Sequence, residues 1–264
     1  MSCWMDSSVG EQMNTRYFEI SERGHNVRCK LYYHDLSNIL RSVVFCHGFG
    51  GHKDNGAAEK FAQRMLSAYA DIAMVTFNWP SHGDDEKERI CLSDCDGYLE
   101  SVLDYVQGTL GVESVYGYAT SFGGYLLLKY IAEHGNPFRK VGMRCPAVNM
   151  YDVLTTAIMS SDERDKVTNG EEVPVGFDRK IMVSPSFLEE LRSCDVQTMD
   201  FRSVAEDLLI LHGTADEIVP FEAGKSFAEG NGIAFRPVED ADHRFQDPAK
   251  MEAAIESILE FFAL

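Results

Sequence analysis

Three residues of this chain have the types and positions needed for nucleophilic chemistry: Ser121, Asp216 and His243. Ser121 lies in Ala119-Thr120-Ser121-Phe122-Gly123-Gly124, between an apolar, β-branched run ending at Tyr118 and a helical apolar run from Tyr125. Small residues two before and two after a serine let a strand and a helix approach closely while the serine stands clear in a strained turn. The opening helix then adds backbone N–H groups and its positive end. A serine hydroxyl is too weakly acidic to attack at neutral pH unaided, so it needs a base within reach and the base needs an orienting partner. A lone Ser-x-Gly-Gly is also what a turn serine capping a helix looks like, so the surrounding elements must decide.

Those elements alternate. Segments 16–21 and 26–33 have period-two patterning and are joined across Arg23-Gly24-His25, which predicts an antiparallel hairpin. Segments 42–46, 72–77, 113–118, 140–145 and 207–211 are short apolar runs of the kind buried on both faces, and 233–238 closes the series. Helical spacing separates them: Ala57, Phe61, Met65 and Leu66; then Leu99, Val102, Leu103, Val106 and Leu110, capped by Ser93 or Asp94; then the helix to His134. A helix from Pro220 and a terminal helix opened by Asp247-Pro248 complete the pattern. The fold class is α/β, a mostly parallel sheet covered by helices with right-handed crossovers. Loops at the carboxyl ends of such strands are where ligands bind, and Ser121, Asp216 and His243 sit on three of them.

The pattern breaks over 147–204. Helices are expected at 150–160 and 187–194, the second with a capping box of Ser186 and Glu189, around a polar run at 161–172. The organisation is therefore a core over 1–146 and 205–264 with a cap or lid inserted at 147–204. Met150, Leu154, Ile158, Met159, Phe177, Ile181, Met182, Phe187 and Leu188 would line or cover a pocket there, or form a small satellite core.

Composition narrows the classes. With 264 residues and 45% apolar side chains the chain can bury a substantial core, and it is not a disordered protein. No stretch reaches the roughly 18 apolar residues of a membrane span, and the first dozen residues lack the blocks of a signal peptide. Seven scattered cysteines do not form a disulfide framework, and a cytoplasmic location is expected. Cys91 and Cys95 lack the second pair that a zinc site needs. A net charge of −18 argues against nucleic acid and anionic membranes. A small-molecule acyl substrate is expected, with no cofactor and no metal; the oligomeric state stays open.

Four motifs in order carry a resemblance: His47-Gly48-Phe49-Gly50, Ser81-His82-Gly83, the Ser121 turn, and His212-Gly213-Thr214-Ala215-Asp216 through Val219-Pro220, followed by Ala241-Asp242-His243. The chain resembles the α/β-hydrolase superfamily over nearly its whole length. His47-Gly48-Phe49 with Gly51-His52-Lys53 and a mid-chain cap is similar to small bacterial esterases of the feruloyl and cinnamoyl type. It departs from the usual motif at Ala119, where glycine is expected, and at Thr120, often histidine. The resemblance implies an eight-stranded sheet and a serine hydrolase acting on a small carboxylic ester, with Ser121 as nucleophile, His243 as base and Asp216 as its partner. The oxyanion donors would be the backbone N–H groups of Phe49 and Phe122. Glu217, Asp240 and Asp242 remain alternative acids, whereas His47, His82 and His212 are read as structural and Cys46 as core. Amide, peptide or thioester cleavage on the same triad, or a hydrolase fold kept only for binding, are the competing readings.

Overall fold

The computed structural model describes residues 13–264. A hairpin of β1 (Asn14–Glu22) and β2 (His25–Tyr33) opens the chain, followed by β3 (Arg41–Cys46), α1 (Gly56–Ala68), β4 (Ile72–Phe77) and α2 (Leu92–Asp104). Then come β5 (Ser114–Thr120), α3 (Phe122–His134) and β6 (Val141–Arg144). After an inserted segment, β9 (Leu208–Gly213), α7 (Phe221–Asn231), β10 (Ala234–Val238) and α8 (Pro248–Phe262) finish the fold. The eight-stranded sheet runs β1-β2-β4-β3-β5-β6-β9-β10. Only the β1–β2 and β2–β4 pairs are antiparallel, and the other five are parallel.

Burial on both faces explains the apolar strands. Every residue of β4 and β9 is buried, as expected where helices cover both sides of a parallel sheet. Two cores result. Tyr116 and Tyr118 of β5 point toward α1 and α8, where Phe61, Met65, Ile255 and Phe262 lie. Val115 and Ala119 point the other way, toward Leu99 and Val102 of α2 and Leu127 of α3. The alternation along β5 thus aims its last residues at two different layers.

Local signals were met with informative exceptions. Asn55 caps α1 by accepting from the Ala57 and Ala58 N–H groups, and Asp247 caps α8 ahead of Pro248. Neither Ser93 nor Asp94 caps α2, because both lie inside its first turn; Cys91 holds the N-cap position without a side-chain bond. That helix ends in a π-helical turn, Tyr105–Thr109.

The inserted segment is more regular than its composition suggests. It holds α4 (Met150–Asp152), continued by a π-helical turn over Val153–Ile158, then α5 (Ser161–Thr168). A hairpin of β7 (Val173–Val175) and β8 (Ile181–Val183) and then α6 (Pro185–Ser193) follow. The polar run expected as a connector is α5, nucleated by a reciprocal capping box of Ser160 and Glu163. It buries only Val167, so it has no apolar stripe to reveal it. The cap of α6 is Ser184, which accepts from Phe187 N–H, and not Ser186, because Pro185 sets the first helical position. No helix among the described residues is long and apolar enough to cross a membrane.

Candidate active site

Ser121 joins β5 to α3 with φ 52° and ψ −119°, a conformation costing a non-glycine residue about 1–3 kcal/mol. Neighbouring strands hold it there. Its N–H donates to Arg144 O of β6 at 3.1 Å, and its carbonyl accepts from Gly124 N at 2.9 Å and Ala147 N at 3.1 Å. Gly123 is obligatory for the close approach: a Cβ there would lie 2.2 Å from Cys46 O and 2.7 Å from His47 O. The start of α3 is thereby pressed against the end of β3.

The loop after β3 passes directly over the serine. A Cβ on Gly48 would sit 3.1 Å from Ser121 Cβ. Buried His47 shapes this loop. Its Nε2 accepts from Trp79 N–H at 3.3 Å, so Nδ1 carries the proton and donates to Gly48 O at 2.9 Å. Gly51 N–H donates to the same carbonyl at 2.9 Å, closing a tight turn. Burial holds His47 well below its usual pKa, with the His82 ring adding to the effect, and pushes His82 down to about 4. Both rings are therefore neutral supports, packed with Phe49 and Phe122 in one aromatic group. The N–H of Phe49 has no acceptor among the described residues. That of Phe122 opens α3, where no preceding turn can accept it. Both candidate oxyanion donors are thus unoccupied among the described residues.

Asp216 and His243 meet across the ends of β9 and β10. His243 Nδ1 donates to Asp216 Oδ2 at 2.8 Å, which leaves Nε2 as the basic nitrogen. The Asp216 side chain is wholly buried. Burial opposes its ionisation, but hydrogen bonds from His212, His243 and Val219 N–H outweigh that cost and hold the carboxyl well below the usual range. Oδ1 accepts from Ile218 N at 2.9 Å and Val219 N at 2.8 Å, while His212 Nε2 lies 3.2 Å from Oδ2. His212 is thus a second positioner of the same carboxylate, a role its strand-end location alone did not reveal. The alternative acids do other work. Glu217 accepts from His243 N–H at 3.3 Å, Asp242 from Gln246 N–H at 2.9 Å, and Asp240 donates its N–H to Thr214 Oγ1 at 2.8 Å.

Metal ligation is poorly served. Cys145, Asp216 and His243 bring ligand atoms within 4.8 Å of one another, but burial and the neighbouring Asp216 raise the Cys145 thiol pKa, keeping it protonated. In the other such group, Asp96 and Glu133 are already bonded to Lys129 Nζ.

Ser121 and His243 line one cavity of about 330 Å3, with Phe49 on its wall. A larger cleft of about 770 Å3, between 197–202 and α7, holds none of these residues. Of the nine residues of the inserted segment expected at the pocket, only Ile158 and Phe177 reach the cavity; Met150, Leu154, Met159, Ile181 and Phe187 are buried in the core. Apolar patterning identifies buried side chains, not which void they face. Three arginines line the cavity instead, Arg144, Arg179 and Arg244. The first ends a buried strand, and an arginine in the apolar run 140–145 was the available signal.

A family model described as alpha/beta hydrolase fold matches residues 41–170. Among solved structures, Est1E from Butyrivibrio proteoclasticus is 19% identical with a TM-score of 0.74, covering 94% of this chain and 99% of that one; it has also been solved with ferulic acid bound. A putative hydrolase from Agrobacterium vitis S4 is 17% identical with a TM-score of 0.71, covering 95% and 99%. XC6422 from Xanthomonas campestris, described as an a/b serine hydrolase without lid, is 14% identical with a TM-score of 0.61, covering 95% and 94%. A search by sequence among curated proteins finds no match. With the serine turn, the sheet order and these likenesses pointing the same way, the chain is a protein of the α/β-hydrolase fold.

Proposed function

We propose that this chain is a serine hydrolase that cleaves a small carboxylic ester through an acyl-enzyme. The observation that carries the reading is the Asp216–His243 hydrogen bond of 2.8 Å beside a strained serine that shares a cavity with His243. In this reading His243 Nε2 takes the Ser121 proton as Oγ attacks the carbonyl, and later returns it to the leaving alkoxide. Asp216 keeps the proton on Nδ1 and stabilises the imidazolium; its low pKa means that it stays ionised throughout. The tetrahedral oxyanion is received by the N–H groups of Phe49 and Phe122, each worth about 3–4 kcal/mol in the transition state. Segment 147–204 acts as a cap whose hairpin tip sizes the site, since a Cβ on Gly50 would lie 3.4 Å from Arg179 O. The likeness to a protein solved with ferulic acid bound supports a small carboxylic acyl group as the part of the substrate the site receives.

Hydrolysis of p-nitrophenyl esters of increasing acyl length, alongside methyl ferulate, tests the reading. Wild type is expected to turn over short esters or ferulate, and Ser121→Ala to lose that activity. Full esterase activity in Ser121→Ala would end the proposal. No ester turnover, with Ser121 still labelled by a fluorophosphonate, would move the substrate to amides or thioesters.

A further inference from the structure

The charge lining the cavity is opposite in sign to that of the chain. The protein carries 42 acidic and 24 basic residues, yet Arg144, Arg179 and Arg244 line this cavity with Asp178 as the one carboxylate among its lining residues. Arg244 is engaged by Asp178 at 3.3 Å. Arg144 and Arg179 have no ion pair among the described residues.

Arg144 is the more telling of the two. Among the described residues four lysine and arginine residues are buried: Lys30 at 7% exposure, Lys53 at 8%, Lys129 at 4% and Arg144 at 6%. Each lysine has a carboxylate: Asp54 for Lys30, Asp84 for Lys53, and both Asp96 and Glu133 for Lys129. Arg144 has none. Its Nη1 lies 2.9 Å from the Met251 thioether, a poor acceptor, and its Nε has no partner. Its guanidinium stands 5.0 Å from the Phe245 ring centroid, which orients the plane without neutralising the charge. Burying an unpaired charge is strongly unfavourable, so a buried guanidinium that opens onto a cavity and lacks a protein partner points to a partner supplied by the ligand. The backbone reinforces this placement, since Arg144 O accepts from Ser121 N–H, which ties the guanidinium's residue directly to the reacting serine.

We propose that the substrate carries a carboxylate, held by Arg144 inside the cavity with Arg179 at its mouth. The site then acts on a small ester with an acid group on its acyl or alcohol part. This rests on the hydrolase reading above. A planar guanidinium pairs two N–H groups with two carboxylate oxygens, which fixes the substrate's orientation as well as attracting it. A cavity of about 330 Å3 suits a small molecule of this kind.

Two matched pairs test it, each differing in one charge: p-nitrophenyl hydrogen glutarate against p-nitrophenyl pentanoate, and 4-acetoxybenzoate against methyl 4-acetoxybenzoate. In at least one pair, wild type is expected to favour the anionic member by about tenfold or more in kcat/KM. That ratio should collapse in Arg144→Gln, be partly restored in Arg144→Lys, and fall more modestly in Arg179→Gln. A neutral fluorophosphonate labelling Ser121 in each variant reports that its site is intact. Equal use of both members in both pairs overturns the proposal, as does an Arg144→Gln variant, labelled normally, that keeps the wild-type ratio. Binding of monomethyl glutarate against methyl pentanoate to Ser121→Ala, followed by calorimetry, separates the two readings. Tighter anion binding that Arg144→Gln abolishes, without turnover of any ester, would retain the anion site and reject the ester hydrolase. Equal binding, with esters turned over, would do the reverse.

Discussion

At the sheet edge below the cavity, the groups that set the positions of Ser121, His47 and Asp216 are tied to partners among the described residues. His47 bridges Trp79 N–H and Gly48 O, and Asp216 accepts from two backbone N–H groups and His243, with His212 Nε2 3.2 Å away. The roof, from the tip of the β7–β8 hairpin to Arg244, is built in the opposite way. Phe177 is 49% exposed, and the tip is joined to the His243 loop by one exposed ion pair, Arg244 to Asp178. An exposed pair of this kind contributes about 0–1 kcal/mol. The floor's geometry is over-determined by packing, whereas the roof's is free to answer to a ligand. Rate should therefore be sensitive to single atoms of the floor, and affinity to side chains of the roof.

Asp216→Asn tests the floor most severely. The substitution replaces one oxygen by an NH2 group, which cannot accept the His243 Nδ1–H, so the ring is free to present the wrong tautomer to Ser121. The expected loss is about 10⁴-fold in kcat with KM changed little, read on the best p-nitrophenyl ester. A loss below about tenfold would show that the Asp216–His243 bond is not part of the reaction.

Stability of the floor should depend on pH through its buried neutral histidines. His82 donates from Nδ1 to Pro80 O at 2.8 Å, while its Nε2 is buried without a partner. Burial pushes its pKa down to about 4. Because the folded pKa lies below the unfolded value of about 6.5, the unfolded chain binds the proton more readily. The stabilisation is complete above about pH 6.5 and is lost as pH falls toward 4, for a total of ~3 kcal/mol from this residue. Urea unfolding between pH 7.5 and 4.5 should show a shallower acid decline in His82→Gln than in wild type. Identical slopes would place the acid sensitivity elsewhere, with His47 the next residue to examine, since its pKa is shifted in the same direction.

The same contrast governs what could be read from the sequence. The floor was legible because its requirements are local: a serine turn needs Gly123 to be small, and an Asx-type loop after β9 needs Asp216 two residues before Ile218 and three before Val219. Order along the chain then brings Asp216 and His243 onto neighbouring strand ends, β9 and β10. The roof was not legible, because the short β7–β8 pair has only three residues per strand and α5 buries a single side chain. Arg144 was missed for a different reason. Its neighbours Val141 and Met143 are apolar and buried, so the run reads as a strand with one odd charge in it, and the fold is needed to show that Arg144, at the end of β6, lines the serine's cavity. His212 likewise became a partner of Asp216 only when the loop at 213–219 folded back over it, with Nε2 also 3.1 Å from Val219 O.

Phe177→Ala sharpens the contrast from the roof side and carries the smallest expected effect. The ring is half exposed, lines the cavity, and has the Arg244 guanidinium 5.7 Å from its centroid. Removing it opens no hole in the core, so the thermal midpoint should move by no more than about 1 °C. What is lost is apolar surface available to a bound acyl group, worth ~1 kcal/mol when about half of a side chain is newly buried. KM should rise about fivefold on the longer acyl esters and little on acetate, with kcat held within about twofold. A fall in kcat at constant KM would mean that the ring acts only once the transition state forms, for instance by closing over the site and excluding water. The roof would then belong with the floor as part of the reaction's fixed geometry, and the division between a rigid base and a responsive cover would fail.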